Sequence, residues 1–501
     1  MWRVDGNFIR FYSKSSFKQK IDLMSNYLLL FCIISFLTTD HLIAAAEDWS
    51  TYRHDNRRSG VTKESPVFPL KLKWKKLSNI APMMAWSGPA KWDAYSGNKD
   101  LQSMRNFDPV FYVTISKGSV FYGSSVDDSV HCLDLNSGSE KWVAFTSGAV
   151  RLPPSLDKGK CFFGSDDGFA YCVNILNGKT IWKFNPSGSR RYIASNAKII
   201  SPWPIRTGVL VNGESVFFGA SLVPWENTFL CSLDKKTGDL KYKSIHNNMT
   251  LQGAFLASSS TLYAPQGRSV PLVFNLSDGK AIKSLSNTGG TFCLLTKDDK
   301  LVAMPHNQKS SGNMIQIADP SGNSAMVQFA GADRLLINEE MVYLHQSQKL
   351  KALNRKNYST ANNKISINNK LIKQNSIELE KKIKLSKNFE SNGQKVELQK
   401  TQKEISQLKL KNNQIKLSNF NEQKKLKDSF LWESSSQAPY DLILAGNYLF
   451  LGGSNYISAY DSRTGKMVWT SNVIGKVYGL AFAHGTLIAS TSKGHLYAFT
   501  N

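Results

Sequence analysis

Four arginine-bearing segments hold the side chains of this chain that are best suited to chemistry. The segments Gly148–Arg151, Ser189–Ile193, Ile199–Gly208 and Pro265–Arg268 occupy comparable positions between predicted strands, and Leu222–Trp225 adds a second tryptophan. Guanidinium groups bind carboxylates through paired hydrogen bonds, and indole rings supply flat apolar walls. The segments therefore predict a pocket for a planar or carboxylated ligand. The predicted ligand-binding side chains are Arg151, Arg191, Trp203, Arg206, Trp225 and Arg268.

Packing is the alternative role for the same side chains. Arginines between strands also donate to backbone carbonyls of neighbouring sheets, and tryptophans there fill gaps in the core. Residue types and spacing do not separate the two roles, so the pocket is a hypothesis that depends on how the segments converge.

Other kinds of site find no support in the sequence. The histidines include no pair four residues apart, and none lies beside a Cys-x-x-Cys pattern. A Gly-x-Ser-x-Gly nucleophile turn and a phosphate-binding Gly-rich loop are also absent from the sequence. The sequence therefore predicts no metal site and no catalytic residues, and it favours a protein that is not an enzyme.

A repeated turn determines where the arginine-bearing segments lie. An Asp or Asn is followed four residues later by Gly, and Gly is followed after another four residues by an aromatic residue. The first two copies of this motif are 40 residues apart. The Asp or Asn side chain bonds to the local backbone, and Gly permits positive φ. Such a period of strands and turns is typical of β-propeller blades. The motif residues are Trp74, Asp134, Gly138, Trp142, Gly178, Trp182, Gly238, Tyr242, Trp432, Asp461, Gly465 and Trp469.

The repeats predict an all-β fold, an eight-bladed β-propeller closed by an N-terminal strand. Leu70–Trp74 alternates like the last strand of a blade, and we expect it to complete the final blade because closure removes free sheet edges. The fourth blade has Lys283 at the aromatic position, and the fifth has no aromatic. The predicted blades are Gly118–Trp142, Gly159–Trp182, Gly213–Tyr242, Ser260–Lys283, Asp299–Val327, 340–354 with 430–432, Asn447–Trp469, and Gly485–Phe499 with Leu70–Trp74.

Residues 355–431 interrupt the sixth predicted blade with a different composition. Ile365, Ile372 and Leu379 follow one another at seven-residue intervals, which is coiled-coil spacing. We expect an inserted α-helical coiled-coil hairpin, and a disordered Lys/Asn-rich loop is the alternative. Residues 355–432 hold 18 Lys or Arg against 7 Asp or Glu, within a net charge of +24 for the chain. The predicted propeller itself is only mildly basic, so nucleic acid is not expected as a partner.

Two of the cysteines occupy a position where the repeat prefers a small side chain. Cys132 and Cys172 align with Ser232 and Ala459 of other repeats, so we expect them to be buried as small apolar residues. A contact between Cys161 and Cys172 across a hairpin is the alternative.

The N-terminal residues have the pattern of an export signal. Basic residues precede the apolar run Tyr27–Leu37, and Ala44–Ala46 supply small residues before a cleavage site. The run has 11 residues, well short of the roughly 20 that a membrane-spanning helix needs. We therefore expect a periplasmic or secreted protein that is not integral to a membrane, with a buried N-terminal helix as the alternative. The predicted domains are a signal peptide (1–46), a leader that packs on the propeller (47–69), the propeller (70–354 and 432–501) and the insert (355–431).

Five further motifs carry a family resemblance. They are DWSTYRHDNRRSG (48–60), GSDDG (164–168), LNGKTIW (176–182), SPWPIRTG (201–208) and APQGR (264–268). These motifs resemble those of the PQQ-binding-like β-propeller repeat family. That family includes exported bacterial proteins related to quinoprotein alcohol dehydrogenases and to the outer-membrane assembly lipoprotein BamB.

The resemblance implies two functions of different classes. One is a non-catalytic binding or scaffolding module that engages protein partners through a propeller face or through the insert. The other is a quinone-dependent oxidoreductase with pyrroloquinoline quinone (PQQ) and calcium as cofactors. Dehydrogenases of this family have an adjacent Cys-Cys pair, and this sequence has none. We therefore favour the binding module, acting as a monomer.

Overall fold

The described part of the chain is built mainly from antiparallel sheets. The computed structural model describes residues 47–86, 107–266, 269–285, 292–304, 314–319 and 325–501. The predicted signal peptide, 1–46, lies outside these residues.

The first strands and sheets follow the chain in order. Two short N-terminal strands are β1 (Val61–Thr62) and β2 (Lys71–Lys76). Sheet 1 comprises β3 (Val113–Ser116), β4 (Ser119–Ser124), β5 (Ser129–Asp134) and β6 (Glu140–Phe145). Sheet 2 comprises β7 (Ser155–Asp157), β8 (Lys160–Gly164), β9 (Ala170–Asn174) and β10 (Thr180–Phe184). A separate hairpin consists of β11 (Ile193–Ser195) and β12 (Lys198–Ile200).

Four more sheets repeat the same up-and-down order. Sheet 3 comprises β13 (Leu210–Asn212), β14 (Ser215–Ala220), β15 (Thr228–Asp234) and β16 (Leu240–His246). Sheet 4 comprises β17 (Leu256–Ala257), β18 (Thr261–Gln266), β19 (Ser269–Asn275) and β20 (Ala281–Ser284). Sheet 5 comprises β21 (Phe292–Leu295), β22 (Leu301–Met304), β23 (Met314–Ala318) and β24 (Ala325–Ala330). Sheet 6 comprises β25 (Ala332–Ile337), β26 (Met341–Gln346), β27 (Lys349–Asn354) and β28 (Phe430–Ser435).

The C-terminal strands form one larger sheet that contains both β1 and β2. Its other strands are β29 (Asp441–Ala445), β30 (Tyr448–Gly452), β31 (Ser454–Asp461), β32 (Met467–Ala483), β33 (Thr486–Thr491) and β34 (Leu496–Thr500). The long strand β32 pairs with β31 through its first part and with β33 from Val477 onward. We call the part up to Lys476 sheet 7 and the part from Val477 sheet 8.

The two ends of the described chain meet in sheet 8. Strand β2 pairs antiparallel with β34, so that Trp74 lies opposite Ala498. The indole Nε1 of Trp469 also donates to the carbonyl of Leu70, at 2.8 Å. The N-terminal strand β2 is therefore the fourth strand of sheet 8, beside β34.

Each motif tryptophan links its own sheet to the next one. The indole of Trp142 in sheet 1 lies over Gly178 of sheet 2, and its Nε1 donates to the carbonyl of Ile175 at 3.0 Å. A Cβ on Gly178, which has φ +69°, would lie 2.6 Å from that indole. Gly is therefore required both for its positive φ and for the close approach of the ring. The same contact joins Trp74 to Gly138, Trp182 to Gly238, Trp432 to Gly465 and, with a phenol ring, Tyr242 to Gly279.

The cysteines fill small positions, with no disulfide among the described residues. All five cysteines beyond the N-terminal segment are free and buried. Cys132 lies opposite Trp142, and Cys172 lies opposite Trp182, where the strand has room for a small side chain only. Burial raises the pKa of Cys172 to about 12, so this thiol stays protonated at neutral pH.

Between β27 and β28 the chain forms two long helices. Helix α1 (Arg355–Ser391) and helix α2 (Lys395–Asp428) lie antiparallel. Their seam is polar at several levels, because it includes the amide pair Asn375–Asn412 at 2.9 Å. Ion pairs flank it, between Lys382 and Glu404 at 2.6 Å and between Lys364 and Glu422 at 3.0 Å. In the described part of the chain, no helix has the length and hydropathy that crossing a membrane requires.

Replacing Trp182 by Ala should lower the free energy of unfolding by about 3–5 kcal/mol, because it opens a cavity over Gly238. Chemical denaturation followed by circular dichroism measures the change. Trp225→Ala is the matched control: Trp225 is 80% exposed, so its loss should change stability by less than about 0.5 kcal/mol. Equal effects of the two substitutions would contradict the packing role.

Candidate functional site

Residues 47–64 of the leader bond to the first strands of most sheets. Its backbone carbonyls accept hydrogen bonds from sheets that lie far apart in the sequence. The bonds run from Ile115 N to Trp49 O (2.9 Å), Leu156 N to Ser50 O (2.8 Å), Ala257 N to Asn56 O (3.0 Å), Leu295 N to Arg57 O (2.8 Å) and Leu444 N to Gly60 O (2.9 Å). The leader thus joins sheets 1, 2, 4, 5 and 7 at one place.

Side chains of the leader reach the remaining neighbours. The amide of Asn56 donates to the carbonyl of Val211 in sheet 3, at 2.7 Å. In sheet 8, the backbone N–H of His484 donates to Glu64 at 2.9 Å, and its ring Nε2 lies 2.7 Å from Asp48. These hydrogen bonds therefore link the leader to seven of sheets 1 to 8.

Buried arginines fix the leader in place. Arg53 pairs with Asp441 at 2.6 Å, and Arg58 donates to the carbonyl of Phe255 at 2.8 Å. Burial lowers the pKa of Arg58 to about 10, although the nearby Asp55 opposes that change. At neutral pH Arg58 remains charged, and its donors are used on backbone and hydroxyl oxygens of the protein itself.

A second buried group brings together two of the predicted arginines. Arg206 donates to Asp166 through Nε at 2.8 Å and through Nη2 at 2.9 Å. Arg151 donates to the same carboxylate through Nε at 2.7 Å and to Asp108 through Nη1 at 2.7 Å. We call these four side chains the Arg–Asp cluster. Two guanidinium groups face two carboxylates, so the cluster is electrically balanced.

The pKa values of the two carboxylates of the cluster are shifted in opposite directions. Burial raises the pKa of Asp166, but Arg206 and Arg151 outweigh burial and hold it below its ordinary value. Burial dominates at Asp108 and raises its pKa, although Arg151 opposes the rise. The ionised form of Asp166 is better stabilised than that of Asp108, because Asp166 accepts three guanidinium N–H groups and Asp108 accepts one.

An aromatic ring covers the cluster. The guanidinium carbon of Arg206 lies 5.7 Å from the ring centre of Trp86, whose Nε1 donates to Gln252 at 2.7 Å. The Nη1 atom of Arg206 is buried and has no hydrogen-bond partner among the residues that the structure describes. The segment around Met83, whose carbonyl accepts from Arg151 at 2.7 Å, closes the group from the same side.

The other predicted ligand-binding residues lie apart from the cluster. Arg191 stacks on Trp203 with 4.9 Å between its guanidinium carbon and the ring centre, and it forms an ion pair with Glu226. Trp203 is buried, whereas Trp225 is 80% exposed. Arg268 lies outside the described residues. The structure thus brings the predicted side chains together as two pairs, each of which has protein partners.

Asp166 and Asp108 are the members of the site that sequence reasoning misses. The motif GSDDG contains one more acid than a hairpin turn needs. Asp167 serves the turn by accepting from the N–H of Phe169 at 2.9 Å, which leaves Asp166 for the arginines. The doubled acid was therefore the available signal, but no comparable signal marks Asp108.

The side chains of the site are not free to hold the calcium ion that the resemblance implies. Calcium takes six to eight oxygen ligands, several of them from carboxylates. In the described ranges, no three His, Cys, Asp or Glu side chains converge to hold a metal ion. The carboxylates of Asp108 and Asp166 are already used by arginines. The described residues do not fit a PQQ–calcium pair, and no reaction step is assigned to one.

A family model described as "Outer membrane protein assembly factor BamB" matches residues 88–240 and 126–357. The two overlapping matches together cover more than half of the 501 residues. A search of curated protein sequences finds no match.

Several solved structures are similar in fold. Quinohemoprotein alcohol dehydrogenase from Comamonas testosteroni superposes with a TM-score of 0.55 at 11% identity, over 92% of this chain and 81% of that chain. Quinohemoprotein alcohol dehydrogenase ADHIIG from Pseudomonas putida HK5 gives 0.52 at 10% identity, over 90% and 80%. The computationally designed Ika8 protein gives 0.50 at 12% identity, over 79% and 97%. At such identities the likeness concerns the fold alone.

Asp166→Asn should lower the free energy of unfolding by about 3–5 kcal/mol, because a neutral amide leaves two buried guanidinium groups without their shared anion. Denaturation at pH 7 measures this loss. The matched control is Asp134→Asn at an exposed turn, where Asn174 already occupies the equivalent position of sheet 2; it should be nearly neutral.

The pH dependence gives a second check on the same variant. Because the pKa of Asp166 is lowered in the folded protein, its contribution is present above the ordinary aspartate value of 3.8. That contribution is lost as the pH falls through the lowered folded pKa. The difference between wild type and Asp166→Asn should therefore be constant at neutral pH and shrink only below 3.8. A difference that shrinks near pH 6 would contradict this assignment.

Proposed function

The chain belongs to the PQQ-like β-propeller family, and on that premise we propose that it is an exported, non-catalytic propeller that acts as a binding or scaffolding module. Membership covers both binding proteins and dehydrogenases, so the choice between them depends on the centre of the molecule. The observation that carries the proposal is the leader, which occupies the place where the first strands of seven sheets converge.

The proposed architecture is an eight-bladed ring. Sheets 1 to 6 supply one blade each, and the long strand β32 links the seventh blade to the eighth. Strand β2 would close the ring by pairing with β34. In this arrangement 47–69 is the leader, 70–354 and 432–501 form the propeller, and 355–431 is a coiled-coil hairpin that projects from the sixth blade.

The state of the polar groups at the centre supports a non-catalytic role. Arg53 and Arg58 of the leader are bonded to protein oxygens, and Arg151 and Arg206 are bonded to carboxylates. A substrate or quinone bound there would have to displace these bonds, which are buried and therefore costly to break. Quinone-dependent oxidoreduction remains the alternative function, with PQQ and calcium as its cofactors.

Addition of PQQ and Ca²⁺ to the full-length protein should neither shift the melting temperature nor support alcohol oxidation coupled to dye reduction. The reason is that the buried carboxylates already serve arginines. Replacing Ca²⁺ by EDTA is the control, and it should leave the melting temperature unchanged. A rise in melting temperature together with dye reduction would establish the oxidoreductase instead.

The surface of the helical hairpin supports its role as a partner-binding arm. Leu410, Leu417 and Phe420 of α2 are 61%, 64% and 67% exposed, which is unusual for large apolar side chains. Between residues 398 and 427 the acids are Glu404 and Glu422, and both turn toward lysines of α1. The outward surface of α2 is therefore basic and partly apolar, a combination that suits an acidic, amphipathic partner.

Replacing 354–429 by the turn Asp-Ser-Arg-Thr-Gly-Lys, a copy of 461–466, should leave the propeller folded and abolish partner capture. The ends are close enough for a turn, because Asn354 N donates to Ser429 O at 2.8 Å. Circular dichroism and the melting temperature report folding. Capture from an extract of the source cells, with identification by mass spectrometry, reports binding.

A second variant tests whether the exposed apolar side chains of α2, and not only the presence of the two helices, are needed for capture. Leu410→Ser, Leu417→Ser and Phe420→Ser together keep both helices and remove exposed apolar groups only. Capture should weaken while the melting temperature stays the same. If the protein without helices still captures its partner, the arm is not the binding surface.

A further inference from the structure

The junction between sheets 5 and 6 lacks the aromatic wedge found at most other junctions, as does the junction after sheet 4, where Lys283 holds that position. In sheet 1, Trp142 pairs with Cys132 just before the strand bulges. In sheet 5, the residue in the same register is Val327, which pairs with Ile317 beside an equivalent bulge. A valine is much smaller than an indole, so the wedge position of sheet 5 is underfilled.

The opposite side of this junction is altered as well. Elsewhere the wedge rests on a glycine of the next sheet's turn, as Trp142 rests on Gly178. In sheet 6 that turn is replaced by α1 and α2, which are inserted between the paired residues Leu353 and Phe430. The two changes meet at one place, because the missing ring and the missing glycine turn would have faced each other.

A cavity of about 420 Å³ lies at this place. Its apolar walls include Ile317, Val327, Phe329 and Leu353, together with Tyr358 from the first turn of α1. The ring of Tyr358 stacks on Phe329 with 5.5 Å between centres. The volume lies within the range of about 300–1,000 Å³ that is usual for ligand sites.

The rim of the cavity carries charge that is mostly paired. Asp298 pairs with Arg355, and Lys300 pairs with Asp319 at 2.5 Å. Lys356 is exposed and forms no ion pair within the described residues. It stands at the base of the arm, in the first turn of α1. The unpaired charge at the rim is thus positive.

We propose that this cavity binds the indole ring of a tryptophan in an acidic segment of a partner protein, in place of the wedge that sheet 5 lacks. The chemistry of the occupant follows from the equivalent junctions, where Trp74, Trp142, Trp182, Trp432 and Trp469 supply the same ring from within the chain. The acidic character follows from the positive rim.

This inference rests on the proposed binding role and adds the chemistry of the bound residue. Partner capture by the arm and peptide binding at Val327 are separate measurements. A negative peptide result leaves the proposed function intact. Peptide binding is measured on the full-length protein, because replacing 354–429 also removes Lys356 and Tyr358 from the cavity.

The probe is a fluorescein-labelled acidic peptide with one tryptophan, Glu-Asp-Trp-Asp-Glu, titrated with the full-length protein. Fluorescence anisotropy should rise with protein concentration. The same peptide with Ala in place of Trp should bind at least about tenfold more weakly, because a buried indole supplies most of the contact. Equal binding of the two peptides would overturn the proposal.

Val327→Trp supplies the missing ring from within the chain. It should raise the melting temperature by filling the cavity and should abolish peptide binding. The matched control is Lys283→Trp, which adds the same residue at the wedge position of sheet 4, where Lys283 pairs with Val273. Peptide binding should be unchanged in that variant. Retained binding by a folded Val327→Trp protein would overturn the proposal.

Lys356→Glu tests the rim without altering the core. Because Lys356 is exposed, folding should be unaffected, and peptide affinity should fall about three- to tenfold. Free indole is the competitor that separates a partner's tryptophan from a small aromatic compound. If indole binds as tightly as the peptide, or if Lys356→Glu leaves peptide affinity unchanged, the cavity does not recognise an acidic tryptophan segment.

Discussion

Most neighbouring sheets of this protein are joined by a repeated contact, an aromatic ring that rests on a glycine of the next sheet's turn. The ring excludes water from the gap between two twisted sheets, and its N–H satisfies a carbonyl that would otherwise be buried without a partner. One side chain thus supplies both the apolar burial between two sheets and a directional hydrogen bond. The cavity beside Val327 lies at a junction where this contact is absent.

The motif made most of the strands predictable, because Asp, Gly and Trp each have a strong physical reason to occupy their positions. The first strand of each sheet was harder to predict. Strand β7 has three residues and β17 has two, which is too short for an alternating pattern to show. These strands are stabilised by the leader, whose contribution comes from a distant part of the chain.

The candidate site was predictable by residue type only. Arg151 and Arg206 are recognisable because buried arginines between strands need a partner, but the sequence interprets Asp166 as part of a hairpin turn. The cluster joins residues 15, 40 and 43 positions apart, and such distances leave no periodic trace. Val327 already ends the fifth predicted blade, and the strand register confirms that it holds the position of Trp142.

The leader also determines when the chain can finish folding. Its partners include Leu444 and His484, and β2 pairs with the C-terminal strand β34. A nascent chain emerges from the ribosome N-terminus first, so the leader is made long before these partners exist. Sheets 1 to 6 must therefore form around a leader whose bonds to sheets 7 and 8 are still missing. A chain whose translation stops early lacks β34 and with it the pairing of β2, which makes full-length synthesis a condition of the native fold.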